Sequence, residues 1–327
     1  MRVLVGVVSP NAAWVLPRHY VDDLRREFPQ HTFVDVWDRE ALRAALPDAE
    51  VAFAAFVDRD IVPSLTRLRW VQAPAAGVSH ILSDELSASP VVLTSARGVR
   101  ARAIAEHVMT VTLALARQLP LVLRRQASHE WSLDEIEASG AIRTLKNRRM
   151  GIVGLGAIGL EVAQAAAGFG MRISGIRRRA ELPVPPFVNQ VMTPDQLHGL
   201  LSHSDVIVLS APLIAGTRHL IGEDALAHVK RGAFLVNVGR GKLIDDDALL
   251  AALSDGRVGG AALDVFVREP LPPDSPYWDL PNVIITPHSS GTMEDYWTPL
   301  VELFAENLRR FERGEPLMNV VDKTQGY

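Results

Sequence analysis

Three polar residues each stand just past a short apolar run that reads as a strand. Arg240 follows AFLVNV in Asn237-Val238-Gly239-Arg240-Gly241. Glu269 follows GAALDVF in Arg268-Glu269-Pro270, and His288 follows VIIT in Thr286-Pro287-His288-Ser289-Ser290-Gly291. Ligands of open α/β sheets bind outside the carboxyl ends of the strands. Three different strands would therefore deliver a cation, a carboxylate and an imidazole to one crevice. Each residue alone reads more readily as a solvated loop or turn residue. Their order and their common place at strand ends favour chemistry.

A glycine-rich turn lies upstream of all three, Gly154-Leu155-Gly156-Ala157-Ile158-Gly159. By itself G-x-G-x-x-G is weak. Here strand MGIV precedes it, helix AIGLEVAQAAA follows, and strand MRISGI closes a βαβ unit, which is the context a dinucleotide site needs. Gly154 allows the tight turn, Gly156 lets the backbone approach a pyrophosphate, and Gly159 lets helix and strand pack closely. The free N–H groups and positive dipole of the helix N-terminus then suit the phosphates. NAD sites place an Asp or Glu about 20 residues on, at the ribose. That place reads Gly175-Ile176-Arg177-Arg178-Arg179, and no acid comes before Glu181. Guanidiniums suit the 2′-phosphate of NADP. NADP is the expected coenzyme, with NAD as the other possibility. Two of the three arginines, Arg177 and Arg178, are expected to face the ribose.

These residues need a scaffold, and the apolar pattern supplies two. Strands are expected at Arg2–Val8, Thr32–Trp37, Val51–Phe56, Leu68–Gln72 and Val91–Thr94, with helices at His19–Phe28 and Arg39–Leu46. One long helix is expected from Ala101 to about Arg125, followed by a polar excursion over 129–147. A second alternation starts at Arg149 and carries about six strands, the size of a dinucleotide-binding domain. An amphipathic helix, Thr298–Arg313, comes last. The expected fold is α/β, with two doubly wound parallel-sheet domains.

Composition narrows the function classes. The 327 residues are 48% hydrophobic and 22% charged, ordinary for a soluble globular protein of about two domains. The net charge of −4 leaves no basic excess for nucleic acid. There is no cysteine, hence no disulfide, thiolate catalysis or zinc–thiolate site. No apolar stretch reaches membrane-spanning length and the N-terminal run is short for a signal peptide, so a cytoplasmic protein without a membrane partner is expected. Of the 34 basic residues only four are Lys, which discounts any single arginine but not three in a row. Asp245-Asp246-Asp247 precedes helix ALLAAL and reads as capping and dipole compensation. His198 and His203 have no nearby carboxylate pattern, and no metal site is expected. Trp70 and Trp131 read as packing residues.

Taken together, the segments GIVGLGAIG, PLIAGTRHLIG, FLVNVGRGKLIDDDAL, GAALDVFVREPLP and ITPHSSG make the chain resemble the D-isomer-specific 2-hydroxyacid dehydrogenase family. QAPAAGVSHI and TSARGVRARAIAEHVM match as well, so the resemblance covers nearly the whole sequence. It implies reversible hydride transfer between a 2-oxo acid and its D-2-hydroxy acid. It also implies that the last helix returns to the first domain, so that residues 1–97 plus 293–327 would form the flavodoxin-like substrate domain and 98–292 the Rossmann cofactor domain inserted in it, with both ligands in the cleft between them. His288 would be the general acid/base, since it exchanges a proton near neutral pH. Glu269 would fix its tautomer and favour imidazolium. Arg240 would pair with the substrate carboxylate and polarise the ketone.

The resemblance also implies a carboxylate-binding loop at Ala76-Gly77-Val78, an apolar backing for the nicotinamide at Ile104, and Asp264 near the nicotinamide ribose or amide. Ala157 and Ile158 would meet the pyrophosphate. Ala211, Pro212, Thr217, Val238, Gly239, Ser290 and Gly291 would complete the cofactor site. Glu269 stands where formate dehydrogenases carry Gln, which argues against formate oxidation. Only 14 residues follow the last expected helix, so no long C-terminal regulatory domain is expected. The alternative is a dinucleotide-sensing regulatory protein on the same scaffold. The helix from Ala101 and the excursion after it would pair across a twofold in a homodimer. Pocket size, and with it the particular 2-oxo acid, is not legible.

Overall fold

The computed structural model describes residues 1–10 and 14–326. The chain forms two compact units, Met1–Val99 with Met293–Tyr327, and Arg100–Thr292.

The first unit opens with β1 (Arg2–Gly6), α1 (Arg18–Glu27), β2 (Thr32–Asp35), α2 (Arg39–Ala45), β3 (Val51–Ala54), β4 (Trp70–Gln72), α3 (Asp84–Ala88) and β5 (Val92–Thr94). Its strands form one parallel sheet in the order β2-β1-β3-β4-β5, the flavodoxin-like order. A parallel sheet is covered on both faces, so its strands are apolar throughout rather than alternating. All four residues of β3 are buried. Leu4, Ala52, Val71 and Leu93 meet Leu42 and Leu86 of α2 and α3 on one face. Val3, Val5, Phe53 and Trp70 meet Val21 and Leu24 of α1 on the other.

The second unit holds α4 (Ala101–Ala116), α5 (Leu119–Ala127), α6 (Leu133–Ser139), β6 (Arg149–Val153), α7 (Ala157–Gly168), β7 (Arg172–Ile176), β8 (Gln190–Met192), α8 (Leu197–His203), β9 (Val206–Leu209), α9 (Glu223–Ala227), β10 (Ala233–Asn237), α10 (Asp246–Ser254), β11 (Val258–Leu263) and β12 (Val283–Ile285). Its strands run parallel in the order β12-β11-β10-β9-β6-β7-β8. From β6 the chain winds outward through β7 and β8, then returns to β9 beside β6 and winds the other way. This is the Rossmann order, and the reversal between β6 and β9 is its switch point. α4 and α7 cover one face through Ala105, Val108, Val111, Val162 and Ala166. α8, α9 and α10 cover the other through Leu200, Leu201, Leu226 and Leu249.

Two differences from the sequence expectation lie in the second unit's sheet and its first helix. The sheet has a seventh strand, β8, whose three residues QVM carry too little pattern to read. The helix expected from Ala101 to Arg125 is two helices. α4 ends at Ala116, and Gln118 turns left-handed with φ 56° before α5 begins. Pro120 causes the break: it has no N–H to give Ala116, and its ring would crowd that carbonyl. It fits instead in the first turn of α5.

The last helix, α11 (Trp297–Glu312), packs in the first unit. Phe304 stacks 4.7 Å from Phe53 and 5.3 Å from Trp70. A buried polar chain fixes its register. Trp70 Nε1 donates to Thr94 Oγ1 at 2.8 Å, Thr94 donates to Gln72 Oε1 at 2.8 Å, and Asn307 Nδ2 donates to the same oxygen at 3.2 Å. Among the described residues no helix is long and apolar enough to cross a membrane.

Candidate active site

The glycine turn leaves β6 with Gly154 at φ 104°, and a Cβ there would lie 2.5 Å from the Ala211 backbone nitrogen. A Cβ on Gly159 would lie 2.4 Å from the Gly154 carbonyl, so α7 sits against its strand only because that atom is missing. Gly156 is the contrast: a Cβ there would have nothing within 4 Å. It is the N-cap of α7, and no side chain caps the helix. Open space, uncapped N–H groups and the first-turn residues Ala157 and Ile158 therefore coincide, an arrangement that fits a pyrophosphate.

The neighbouring loops are mostly self-closed. Thr217 donates its hydroxyl to the Pro212 carbonyl at 2.7 Å and accepts from Ile214 N–H at 2.8 Å, so it locks its own turn. At the end of β7, Arg177 folds back and donates to the carbonyls of Leu182 and Pro183, while Arg178 and Arg179 are exposed. Part of Arg177's donor set is thus already used within its loop.

Past β10, Asn237 shapes the turn that carries Arg240. Its Oδ1 accepts from Gly239 N–H and its Nδ2 donates to the Arg240 carbonyl, both at 3.1 Å. Arg240 is exposed and donates to the Gly239 carbonyl at 2.7 Å. Beside it Gly241 touches the segment after β11, where a Cβ would lie 2.0 Å from the Phe266 carbonyl carbon. Phe266 N–H in turn donates to Glu269 Oε1 at 2.9 Å. The other oxygen, Oε2, meets His288 Nδ1 at 2.8 Å. Both oxygens of Glu269 are used, and His288 keeps its Nε2 for another partner. The imidazole is 53% exposed and the carboxylate side chain 36%.

Asp264 holds this loop in place. His288 is left-handed at φ 52°, and its N–H donates to the Asp264 carbonyl at 2.9 Å. The Asp264 carboxylate accepts from Ser289 N–H at 2.9 Å, from Ser290 N–H at 3.1 Å and from the Thr286 hydroxyl at 2.6 Å. Burial alone would raise its pKa, but these bonds overcome it and hold the carboxyl below the usual range. His107 of α4, one turn beyond Ile104, sits 3.3 Å from the Thr286 hydroxyl. Burial lowers its pKa, and the Asp264 charge opposes that only in part. Thr286 and His107 were not singled out from the sequence, although both stand inside quoted segments, ITPHSSG and AIAEHVM. Ser290 is buried, and Gly291 packs against the Arg100 side chain at 3.0 Å from its would-be Cβ.

Ala76 and Gly77 are exposed and Val78 is buried, in the loop after β4 of the first unit. Asp245 caps α10 by accepting from Ala248 N–H at 3.1 Å. Asp246 accepts from the Tyr277 hydroxyl at 3.0 Å, so the acidic triplet is divided between a helix cap and a buried contact.

A model of the D-isomer specific 2-hydroxyacid dehydrogenase NAD-binding domain matches residues 109–290. The chain belongs to the D-isomer specific 2-hydroxyacid dehydrogenase family. It is 34% identical over 306 residues to a glyoxylate reductase of Korarchaeum cryptofilum, covering 90% of this chain and 91% of that one. It is 34% identical over 315 residues to glyoxylate/hydroxypyruvate reductase B of Pectobacterium carotovorum, covering 94% and 97%. The structure of a family member from Xanthobacter autotrophicus, in complex with NADPH and MES, superimposes with a TM-score of 0.81 at 29% identity, covering 100% of this chain and 99% of that one. As a member of this dehydrogenase family the chain is an NAD(P)-dependent oxidoreductase acting on 2-hydroxy and 2-oxo acids.

Proposed function

We propose that this dehydrogenase reduces small 2-oxo acids of the glyoxylate and hydroxypyruvate type to D-2-hydroxy acids, with NADPH preferred over NADH. The observation that carries the reading is the Glu269–His288 pair at 2.8 Å, held at the strand ends beside the Arg240 turn. Bound coenzyme supplies the hydride that adds to the substrate's C2. As the carbonyl oxygen gains charge, His288 Nε2 gives it a proton. Glu269 keeps Nδ1 protonated and the ring oriented, which leaves Nε2 as the atom that carries the exchanged proton. Arg240 draws the substrate carboxylate and stabilises the developing oxyanion. In the oxidative direction the same atom takes the proton back.

The coenzyme preference rests on Arg177 and Arg178 at the end of β7 and on the lack of an acid before Glu181. A guanidinium pair on a doubly charged phosphate favours NADPH by about 2–3 kcal/mol, a preference of tens- to hundredfold. The reading also includes a homodimer formed through α5 and α6. Leu119, Leu123, Trp131, Leu133 and Ile142 are all exposed there, a run of apolar surface that a partner would cover.

A panel of glyoxylate, hydroxypyruvate, pyruvate and branched 2-oxo acids, each with NADPH and NADH, tests the reading. Turnover of the small acids with a higher kcat/KM for NADPH supports it. No turnover with any acid, while coenzyme still binds, overturns it in favour of a dinucleotide-sensing regulator.

A further inference from the structure

A second group of chemistry-bearing side chains lies away from these residues, on the α8–α9 face of the second unit. His198 of α8 does not pair with His203, whose Nδ1 donates to the Gly199 carbonyl of its own helix at 2.9 Å. It meets instead two residues from around α9. His198 Nε2 lies 3.2 Å from Asp224 Oδ2, and His228 Nδ1 lies 4.0 Å from Asp224 Oδ1. The two imidazole rings stack at 3.9 Å with 6° between their planes. One donor atom from each of the three residues lies within 4.8 Å of the others.

We propose that His198, Asp224 and His228 form a surface site for one borderline divalent transition-metal ion of the Zn²⁺ class. Two imidazoles and one carboxylate are a donor set that suits zinc and its neighbours and not magnesium or calcium, which take oxygen. In a tetrahedral shell with bonds of about 2.0–2.2 Å the donors stand roughly 3.4 Å apart, so the three side chains must draw together to hold the ion. Parallel stacked rings cannot aim both lone pairs at one point, and one ring must turn out of the stack. The rings have room to do so at the surface: the two side chains are 46% and 45% exposed, and Asp224 is 80% exposed. The backbone already prepares His228. Its Nδ1 donates to the Asp224 carbonyl at 2.8 Å, which leaves the lone pair of the neutral ring on Nε2. A bond of this kind from the other ring nitrogen fixes the tautomer of a metal-binding histidine. Between His198 Nε2 and Asp224 Oδ2 the ion takes the place of the bridging proton. The fourth position goes to water. The ion ties α8, of seven residues, to α9, of five, both too short to persist without tertiary support.

The test is calorimetric titration of the full chain, freed of any affinity tag, with ZnCl₂ at neutral pH, together with thermal unfolding with and without the ion. The expected result is one saturable equivalent and a rise in Tm. His198→Ala and His228→Ala each weaken that binding at least tenfold and abolish the rise in Tm, whereas His203→Ala changes neither. Asp224→Asn, which keeps the side-chain shape, also weakens binding. Absence of saturable binding, or one equivalent that survives both His198→Ala and His228→Ala, overturns the proposal.

Discussion

Glu269→Gln isolates the contribution of the carboxylate next to His288. In the native protein each oxygen accepts one bond, Oε1 from Phe266 N–H at 2.9 Å and Oε2 at 2.8 Å from His288 Nδ1. Glutamine keeps the shape but has a single acceptor oxygen. If that oxygen stays on Phe266, the amide NH₂ faces Nδ1 and forces the proton onto Nε2, the atom needed to exchange it. If the amide flips, NH₂ meets the Phe266 N–H and the loop loses an anchor. One charge-assisted bond is lost either way. Such a bond is worth about 1.5–3 kcal/mol. With His288 53% and Glu269 36% exposed, solvent screening points to the lower end, about 1.5–2 kcal/mol. At 1.4 kcal/mol per factor of ten this predicts a kcat lower by roughly 10–30-fold. KM for the 2-oxo acid should move less than threefold, because the carboxylate partner Arg240 is untouched. Steady-state oxidation of NADPH with glyoxylate measures both constants, and Arg268→Gln serves as the neighbouring control. A Glu269→Gln enzyme with at least half the native kcat would refute the assigned role. So would a loss confined to KM.

Three further outcomes follow from the geometry. Gly159→Ala puts a methyl 2.4 Å from the Gly154 carbonyl, so α7 must shift at the cost of about 1–3 kcal/mol; NADPH affinity in a fluorescence titration should fall at least tenfold. Asp205 accepts from Lys230 Nζ at 2.7 Å and from Arg149 N–H at 2.9 Å, and although burial would raise its pKa these partners hold it below the usual range. Its stabilisation is therefore present above the unfolded value of about 3.9 and is lost as pH falls through the lower folded value; Asp205→Asn should cost about 2 kcal/mol in urea unfolding at pH 7, with the gap closing below about pH 4. Trp131, 93% exposed, would lie in the dimer contact, so Trp131→Arg should give the mass of one chain in light scattering where the native protein gives two.

What the sequence could reveal divides along a physical line. Arg240, Glu269 and His288 stand at the ends of β10, β11 and β12, which pair in parallel register side by side. Strict β/α alternation sends every strand of a parallel sheet in the same direction, so residues that follow strands gather on one edge whatever their separation in sequence. Chain order is thereby turned into proximity, and the constellation is readable without any distance. The break at Gln118 was equally local, written in Pro120, yet an apolar period that runs through the proline masks it. Side-chain commitments in loops follow no such rule. The stretch after β7 shows three guanidiniums in sequence, but Arg177 satisfies the carbonyls of Leu182 and Pro183, a choice set by how that loop folds. Asp264 reads as an acid facing a cofactor, whereas its oxygens are largely filled by Thr286, Ser289 and Ser290. Its carbonyl and carboxylate together hold His288 in a left-handed turn. His198 gives the sharpest case. His203 shares its helix, but five residues of α-helix turn a side chain through about 500°, well off the face it started from. Its actual partners, Asp224 and His228, lie across a strand and a loop, where sequence spacing carries no information about contact.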